Sequence, residues 1–407
     1  MAKIVVLGGC GQVGSYAVRT LASMDDISGV VIADIALDRA QALEAEIGPG
    51  KVTSLRVDAL DPESVRAAIR GCDVVLNCTG PFYKFVPTIL RTVIQEKIDY
   101  VDVCDDVDVT LEILGWDEEV RRAGITALIG MGSSPGVTNL MARYAADHLL
   151  DSVEAVDIFH AHGGEPVEGE GVIGHRLHCM SIDIPMFLDG ELKNVSFFRE
   201  DGVALRQKVD FHRLGEGILV YPYPHPEQVT IPRYIPARRV TNKGTVLPDR
   251  YFELIAGLCE AGLTSREPLD VKGCAVSPYD FAVAYILRER ERILEETRFG
   301  PQRGCLKVVV EGKKAGKPHR FVFSIASESQ ALGEGTGIPA ALGALLMARG
   351  KVSGKGIMPP EGCVNPVEFL DLVGTVMKPA GGGSGKSFEG VLVESIDHEG
   401  RVEKMQL

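Results

Sequence analysis

The chain has 407 residues, 45% of them hydrophobic and 24% charged, with a formal charge of -13. That length exceeds what one hydrophobic core usually serves, so two domains are expected. Acidity without a compensating basic run excludes nucleic acid as an expected partner, and no apolar run approaches the about 18 residues of a membrane span. The nine cysteines form no CxxC pair, which suits reduced thiols better than a disulfide framework or a zinc ribbon. Met1-Ala-Lys3 runs straight into an apolar strand, leaving no room for a removable leader, so a cytoplasmic location is expected.

In chain order, strands are predicted at residues 3–7, 30–33, 52–56, 74–77, 99–102 and 126–129, with helices at 37–46, 62–70, 87–95 and 111–123. Apolar strands alternating with helices imply an α/β domain, a doubly wound parallel sheet covered on both faces. This first domain is expected over residues 1–140, and a helix at 138–147 leads out of it. An α+β domain for substrate and dimerisation is expected over 150–330, with helices at 251–260 and 277–292. There strands at 306–311 and 320–325 read as a hairpin around the turn-rich Gly312–Pro318. Helices in 335–378 are expected to return to the first domain, and 379–407 to form a linker and a terminal hairpin around Asp397–Gly400.

The first strand runs into Gly8-Gly-Cys-Gly-Gln-Val-Gly14 and then a helical stretch. Gly9, Gly11 and Gly14, with Gln12 and Val13 between them, stand where a Rossmann domain places its pyrophosphate loop: glycines allow the tight turn, and the helix N-terminus faces the anion. Twenty positions after Gly14, Asp34 with its neighbour Ile35 ends the next strand, placed to accept hydrogen bonds from the adenosine ribose. Its carboxylate favours NAD over NADP. Arg39 either reaches a 2'-phosphate or the adenine, which keeps NADP possible, or is a solvated helix arginine. Asp58, followed by Ala59, either meets the adenine edge or caps the helix that begins near residue 62.

Ligands bind at the carboxyl ends of such strands, which selects three further loops. Asn77-Cys78-Thr79-Gly80-Pro81 is expected to line the nicotinamide ribose with its backbone, with Tyr83 and Lys84 either pointing towards a substrate or serving as packing and a solvated lysine. Asp105 and Asp106 point to opposite sides of an extended chain, so one is expected to face the cofactor and the other to cap a helix. Ser134-Pro135-Gly136 forms a turn for close backbone approach, opening a helix whose N-terminus favours a carboxylate, or is simply a turn into that helix.

These features together resemble the saccharopine dehydrogenase-like oxidoreductases, including lysine 6-dehydrogenase and saccharopine reductase. The resemblance rests on the glycine loop, Thr79-Gly-Pro-Phe-Tyr83, Tyr100-Val-Asp-Val-Cys-Asp105, Ser134-Pro-Gly136 with Asn139, His225-Pro-Glu227, Thr336-Gly-Ile-Pro339 and Gly356-Ile-Met-Pro-Pro-Glu361. It extends to about residue 375. The loops after strands four and five depart from lysine 6-dehydrogenase. The resemblance implies a Rossmann domain, an inserted substrate domain, late helices returning to the first, and NAD(P)-dependent oxidation or reduction at a C–N centre of a small amine, amino acid or opine. A homodimer is expected. Asp105, Lys84 and His175 are the candidates for proton transfer, because an amine must be neutral before it can release hydride. Competing readings are a transferase with internal redox on bound NAD, of the homospermidine synthase type, and a regulatory NAD(H)-binding protein.

In the second domain His178, His225 and Arg233 are substrate candidates, as is Asp106 in the first. His175 and His178 share one face if their segment is helical, and no further ligands stand at metal spacing, so no metal is expected. His160 and His162 share one strand face, as a packed or solvated pair. His225 and Arg233 bracket a proline-rich segment, and Arg233 is either a carboxylate clamp or a surface residue. The substrate is expected between the domains at the carboxyl edge of the sheet. Ala380-Gly-Gly-Gly-Ser-Gly-Lys-Ser387 loosely matches a phosphate loop, but it follows a proline and precedes a strand-like run, so it reads as a linker.

Overall fold

Strands β1 (Ala2–Leu7) and β2 (Ile27–Asp34) bury near-continuous apolar runs, the pattern of parallel strands covered by helices. The computed structural model describes residues 1–166, 168–328, 331–376 and 390–406. It divides into two units: one within Met1–Leu150, Val229–Ile235 and Ala331–Gly385, the other within Asp151–Gln228, Pro236–Gln330 and Lys386–Leu407.

In the first unit β1 and β2 alternate with α1 (Gln12–Ser23) and α2 (Leu37–Ile47), followed by β3 (Val52–Arg56), α3 (Pro62–Ile69), β4 (Val74–Asn77), α4 (Phe82–Glu96) and β5 (Asp99–Asp102). Helices α5 (Val107–Leu114) and α6 (Asp117–Ala123), strand β6 (Thr126–Leu128) and helix α7 (Val137–Tyr144) complete the series. Every pairing is parallel in the order β3-β2-β1-β4-β5-β6, and strand Gly356–Met358 extends the sheet beside β6. The order reverses between β1 and β4, and ligands of doubly wound sheets lie at the carboxyl ends of such strands. Val5, Leu7, Val75, Ile89, Val93 and Tyr100 are fully buried in the core around this sheet. Helix Ala331–Ala348 lies against α1, where a Cβ on Gly337 would stand 2.4 Å from the Val13 carbonyl oxygen. Only glycine admits that backbone approach.

Helix α4 starts at Phe82 and runs through Pro87, so Tyr83 and Lys84 sit on its first turn rather than in a loop. The predicted helix at 111–123 is two helices that part around Gly115 and Trp116, where the Arg91 guanidinium stacks 3.9 Å over the indole ring.

In the second unit, β7 (Ser152–Gly163) pairs in parallel with strand Arg239–Leu247 and antiparallel with strand Arg303–Lys314, inside a ten-stranded mixed sheet. Strand Arg303–Lys314 continues through a tight turn into strand Lys317–Ser327. Ala315 and Gly316 both adopt positive φ, 52° and 73°, the two-residue geometry that matches strand twist. The hairpin thus consumes most of the segment expected as turn. Strands Leu392–Ile396 and Val402–Gln406 form the terminal hairpin on the edge of Lys317–Ser327. One face of this sheet packs through Val246 against Ile173, Leu177 and Met180 of α8 (Glu170–Ser181). Among the described residues no helix is long and apolar enough to cross a membrane. The phosphate-loop-like stretch at 380–387 lies outside the described residues.

Candidate functional site

The glycine loop is held by backbone contacts that leave no space for side chains. Gly8 N donates to Ala33 O at 2.8 Å and Gly11 N to Gly8 O at 3.0 Å. A Cβ on Gly14 would stand 2.2 Å from Gly8 O, and one on Gly9 2.8 Å from Val6 O. Gly11 precedes α1 without any side-chain cap, so the helix presents backbone N–H groups and its positive end to an anion. This cradle fits the pyrophosphate of a dinucleotide.

Asp34 is built into the loop. Its Oδ2 accepts from Cys10 N at 3.3 Å and its Oδ1 from Ala36 N at 3.0 Å, while Arg39 Nη2 donates to Cys10 O at 3.0 Å. Carboxylate and guanidinium therefore flank one residue. Burial, with Asp34 next, pushes the Cys10 thiol up to about 12, so it stays neutral and serves as a small filler. Ile35 is exposed. Asp58 is not the cap of α3: it accepts from Leu60 N at 2.9 Å, and Asp61 caps the helix through Glu63 N at 3.0 Å. Asp61 is nearer Pro62 in the chain, which decides between them. Ala59 packs at the edge of the core.

The loops after β4, β5 and β6 are tied by buried polar groups. Asn77 Oδ1 accepts from Thr79 N at 2.9 Å, and its Nδ2 donates to the Tyr100 hydroxyl at 3.0 Å. A Cβ on Gly8 would meet the Cys78 carbonyl and Thr79 Oγ1 at 3.0 Å, so the loop through Cys78, Thr79, Gly80 and Pro81 runs against the glycine loop. Asp106 Oδ2 accepts from Tyr83 N at 2.8 Å. It holds the first turn of α4 and makes no cap bond to its own helix α5, a correction to the expected cap. Asp105 is half-buried beside it, and Lys84 is exposed. Sequence reasoning missed Asp102, fully buried at the end of β5, whose Oδ1 accepts from Gly130 N at 2.8 Å and Cys104 N at 3.1 Å. Burial raises this carboxyl to about 6.

After β6, the turn with Ser134 and Pro135 is closed by Gly136 at φ 127°, whose N–H donates to Asn139 Oδ1 at 2.8 Å. Asn139 Nδ2 in turn donates to Glu361 Oε2 at 2.8 Å, and both residues are buried. Two motifs 222 positions apart are thereby joined.

In the second unit, His175 and His178 lie half-buried on α8. Between them Arg176 makes a two-pronged contact with Glu168 at 2.7 and 2.8 Å, and Arg290 reaches the same carboxylate at 3.1 Å. His225 Nδ1 pairs with Glu227 Oε2 at 3.0 Å, both buried. Arg233 belongs to the first unit, is exposed, and donates to Val229 O at 3.1 Å.

His160, read as half of a packed or solvated pair, packs in an aromatic cluster. Its ring centroid is 4.9 Å from Tyr223 and 5.7 Å from His225, and Tyr223 is 6.4 Å from His175. Tyr223 and Asn242 went unnoticed because only strand register places them beside His160. An asparagine inside a Val- and Thr-rich strand was the available signal.

Residues 4–128 match the saccharopine dehydrogenase NADP binding domain. The chain is 24% identical over 406 residues to carboxyaminopropylagmatine dehydrogenase of Synechocystis, covering 93% of this chain and 97% of that protein. It is 26% identical over 409 residues to carboxynorspermidine synthase of Vibrio alginolyticus, covering 90% and 94%. Its fold matches the saccharopine dehydrogenase (L-Glu forming) of Saccharomyces cerevisiae with a TM-score of 0.68 at 18% identity, over 97% of this chain and all of that one. By its nucleotide-binding domain and its end-to-end alignments the chain is similar to the saccharopine dehydrogenase-like oxidoreductases, and it is an NAD(P)-dependent dehydrogenase or reductase.

Proposed function

We propose that the protein catalyses NAD(P)-linked hydride transfer at a carbon bearing nitrogen in a small carboxylated amine. The observation that carries this reading is the glycine cradle of Gly9, Gly11 and Gly14 at the carboxyl end of β1, in a chain aligned along nine-tenths of its length with two enzymes whose names specify carboxyl-bearing amines. Bound nicotinamide supplies or takes up the hydride. The chain's own residues hold the dinucleotide, order the loops after β4, β5 and β6, and move one proton at the substrate nitrogen. In the oxidising direction that nitrogen must be deprotonated before hydride leaves, because an ammonium has no lone pair to assist departure. Asp105, Lys84 and His175 are the groups assigned to this transfer, with Tyr83 as a substrate contact. Asp106, engaged with Tyr83 N, positions the first turn of α4.

The test uses the full chain. Nicotinamide absorbance is followed with NADPH or NADH and aldehyde-plus-amine pairs near neutral pH, and with saccharopine and carboxylated polyamines plus NADP or NAD at alkaline pH. Coenzyme turnover that requires both the carbonyl and the amine is expected. Tight coenzyme binding with no net redox on any pair would overturn the reading.

A further inference from the structure

The sheet of the second unit buries a polar side chain with nothing to bond. Asn242 is fully buried in strand Arg239–Leu247, and neither its Nδ2 nor its Oδ1 finds a hydrogen-bond partner among the described residues. A buried amide left in that condition is costly and rare in native proteins. The same holds for the buried Nε2 of His160, a residue that is half-buried overall.

Register puts the two groups together. Asn242 pairs with Ile158 and Gly244 with His160 in the parallel ladder, so all four residues share one face, and Asn242 and His160 are diagonal neighbours. Gly244 makes room for the imidazole: a Cβ there would stand 1.9 Å from His160 Cε1. Tyr223 packs against His160 and hydrogen-bonds through its N–H to Asn242 O at 3.0 Å. His225, stacked on His160, brings the buried carboxylate of Glu227.

We propose that Asn242 and His160, with Tyr223 and the His225–Glu227 pair, form a subsite for a positively charged nitrogen of the substrate, the ammonium or guanidinium end of an amine. The proposal rests on the function proposed above and names which part of the substrate this unit reads.

The charge distribution selects a cation over an anion. Burial, and then the neighbouring His225, His162 and His175, hold His160 well below its ordinary range, so it keeps a lone pair and carries no charge. Glu227 contributes a carboxylate. Two buried arginines of this unit, Arg176 and Arg290, are both bound to Glu168, and Arg290 also to the Glu165 carbonyl. A carboxylate placed here would face the Glu227 carboxyl group, whereas an ammonium or guanidinium would meet two acceptors, Asn242 Oδ1 and the imidazole lone pair.

Calorimetric titration of the full chain without coenzyme tests this with agmatine and norspermidine as cationic probes and glutarate as an anionic one. The cations are expected to bind and glutarate is not. Asn242→Leu, close in shape but apolar, should weaken the cations at least about tenfold while NADPH affinity and melting temperature hold. Asn242→Asp should bind the cations at least as tightly as the unmodified chain, and it decides the matter if the leucine variant does not fold. Failure of both cations to bind, equal binding by Asn242→Leu, weaker binding by Asn242→Asp, or glutarate binding that depends on Asn242 would each overturn the proposal. Cation binding that needs Asn242 in a chain without hydride transfer would retain the subsite and remove the proposed reaction. Turnover indifferent to Asn242 would do the reverse.

Discussion

The two proposed sites are built by opposite means. At the carboxyl edge of the parallel sheet the cradle is backbone: Gly9 and Gly14 matter because a side chain at either position would collide with a carbonyl. In the second unit the groups are side chains, His160, Tyr223, His225 and Asn242, drawn from separate strands and loops. A site made of absent side chains leaves a compact signature in the sequence. One made by register leaves almost none.

The sharpest way to break that contrast is Gly14→Ala. The added methyl would lie 2.2 Å from Gly8 O and 2.8 Å from Gly9 Cα, and overpacking against backbone costs about 3 kcal/mol or more, about a hundredfold or beyond in affinity. NADPH fluorescence titration, with circular dichroism to confirm folding, should show dinucleotide binding lost. A folded variant that binds NADPH normally would show that the cradle is not the pyrophosphate site.

This difference also explains what could be read before folding. Strands β1 to β6 were legible because most are apolar runs bounded by glycine or polar residues, and the loop at Gly8–Gly14 follows directly in sequence; the seventh strand of that sheet, Gly356–Met358, was not. Helix α4 was misplaced because Pro87 looks like a start, whereas the start is fixed from elsewhere by Asp106. Asp102 and the Asn139–Glu361 bond were invisible for the same reason: their partners are set by the sheet, not by neighbours in the chain. Asn242 needed the register of strand Arg239–Leu247 with β7.

A second comparison concerns the adjacent carboxylates. Asp106 is tied to Tyr83 N, so Asp105→Asn and Asp106→Asn should separate chemistry from scaffolding. Removing a proton-transfer group costs about a hundredfold in turnover, and Asp105→Asn is expected to show that loss with dinucleotide affinity within a few-fold. Asp106→Asn retains an acceptor for Tyr83 N and should keep most activity. The opposite ranking, read from steady-state kinetics on the identified substrate, would move the chemistry to Asp106.

Asp102 tests the first unit's buried network through pH. Its folded value, about 6, lies above the ordinary 3.8, because burial penalises the charged form more than its hydrogen bonds favour it. The folded chain therefore holds this proton more tightly than the unfolded chain. The resulting stabilisation is fully present below the unfolded value and is lost as pH rises through about 6, a change of about 3 kcal/mol for a gap of about two units. Asp102→Asn keeps an oxygen acceptor for Gly130 N and Cys104 N without a charge. Urea unfolding between pH 4 and 7 should show the variant gaining on the unmodified chain as pH rises. Parallel profiles would mean that the carboxyl titrates as it does in water.

The smallest expected effect is on coenzyme choice, and it sharpens the comparison because here a side chain acts within the backbone-built site. A carboxylate at Asp34 would oppose a 2'-phosphate by charge, yet both its oxygens accept backbone N–H groups of Cys10 and Ala36, and Arg39 donates to the Cys10 carbonyl. Asp34→Asn keeps an acceptor for the loop and removes the repulsion, so the ratio of NADPH to NADH affinity should rise about tenfold, about 1.4 kcal/mol. Arg39→Ala should move the ratio the other way, because it deletes the cation beside Cys10. Measured by titration with both reduced coenzymes, a ratio indifferent to both changes would place the 2'-position away from this pair. A fall in affinity for both coenzymes in Asp34→Asn, with an unchanged ratio, would show that the carboxylate serves the loop and not the choice of coenzyme.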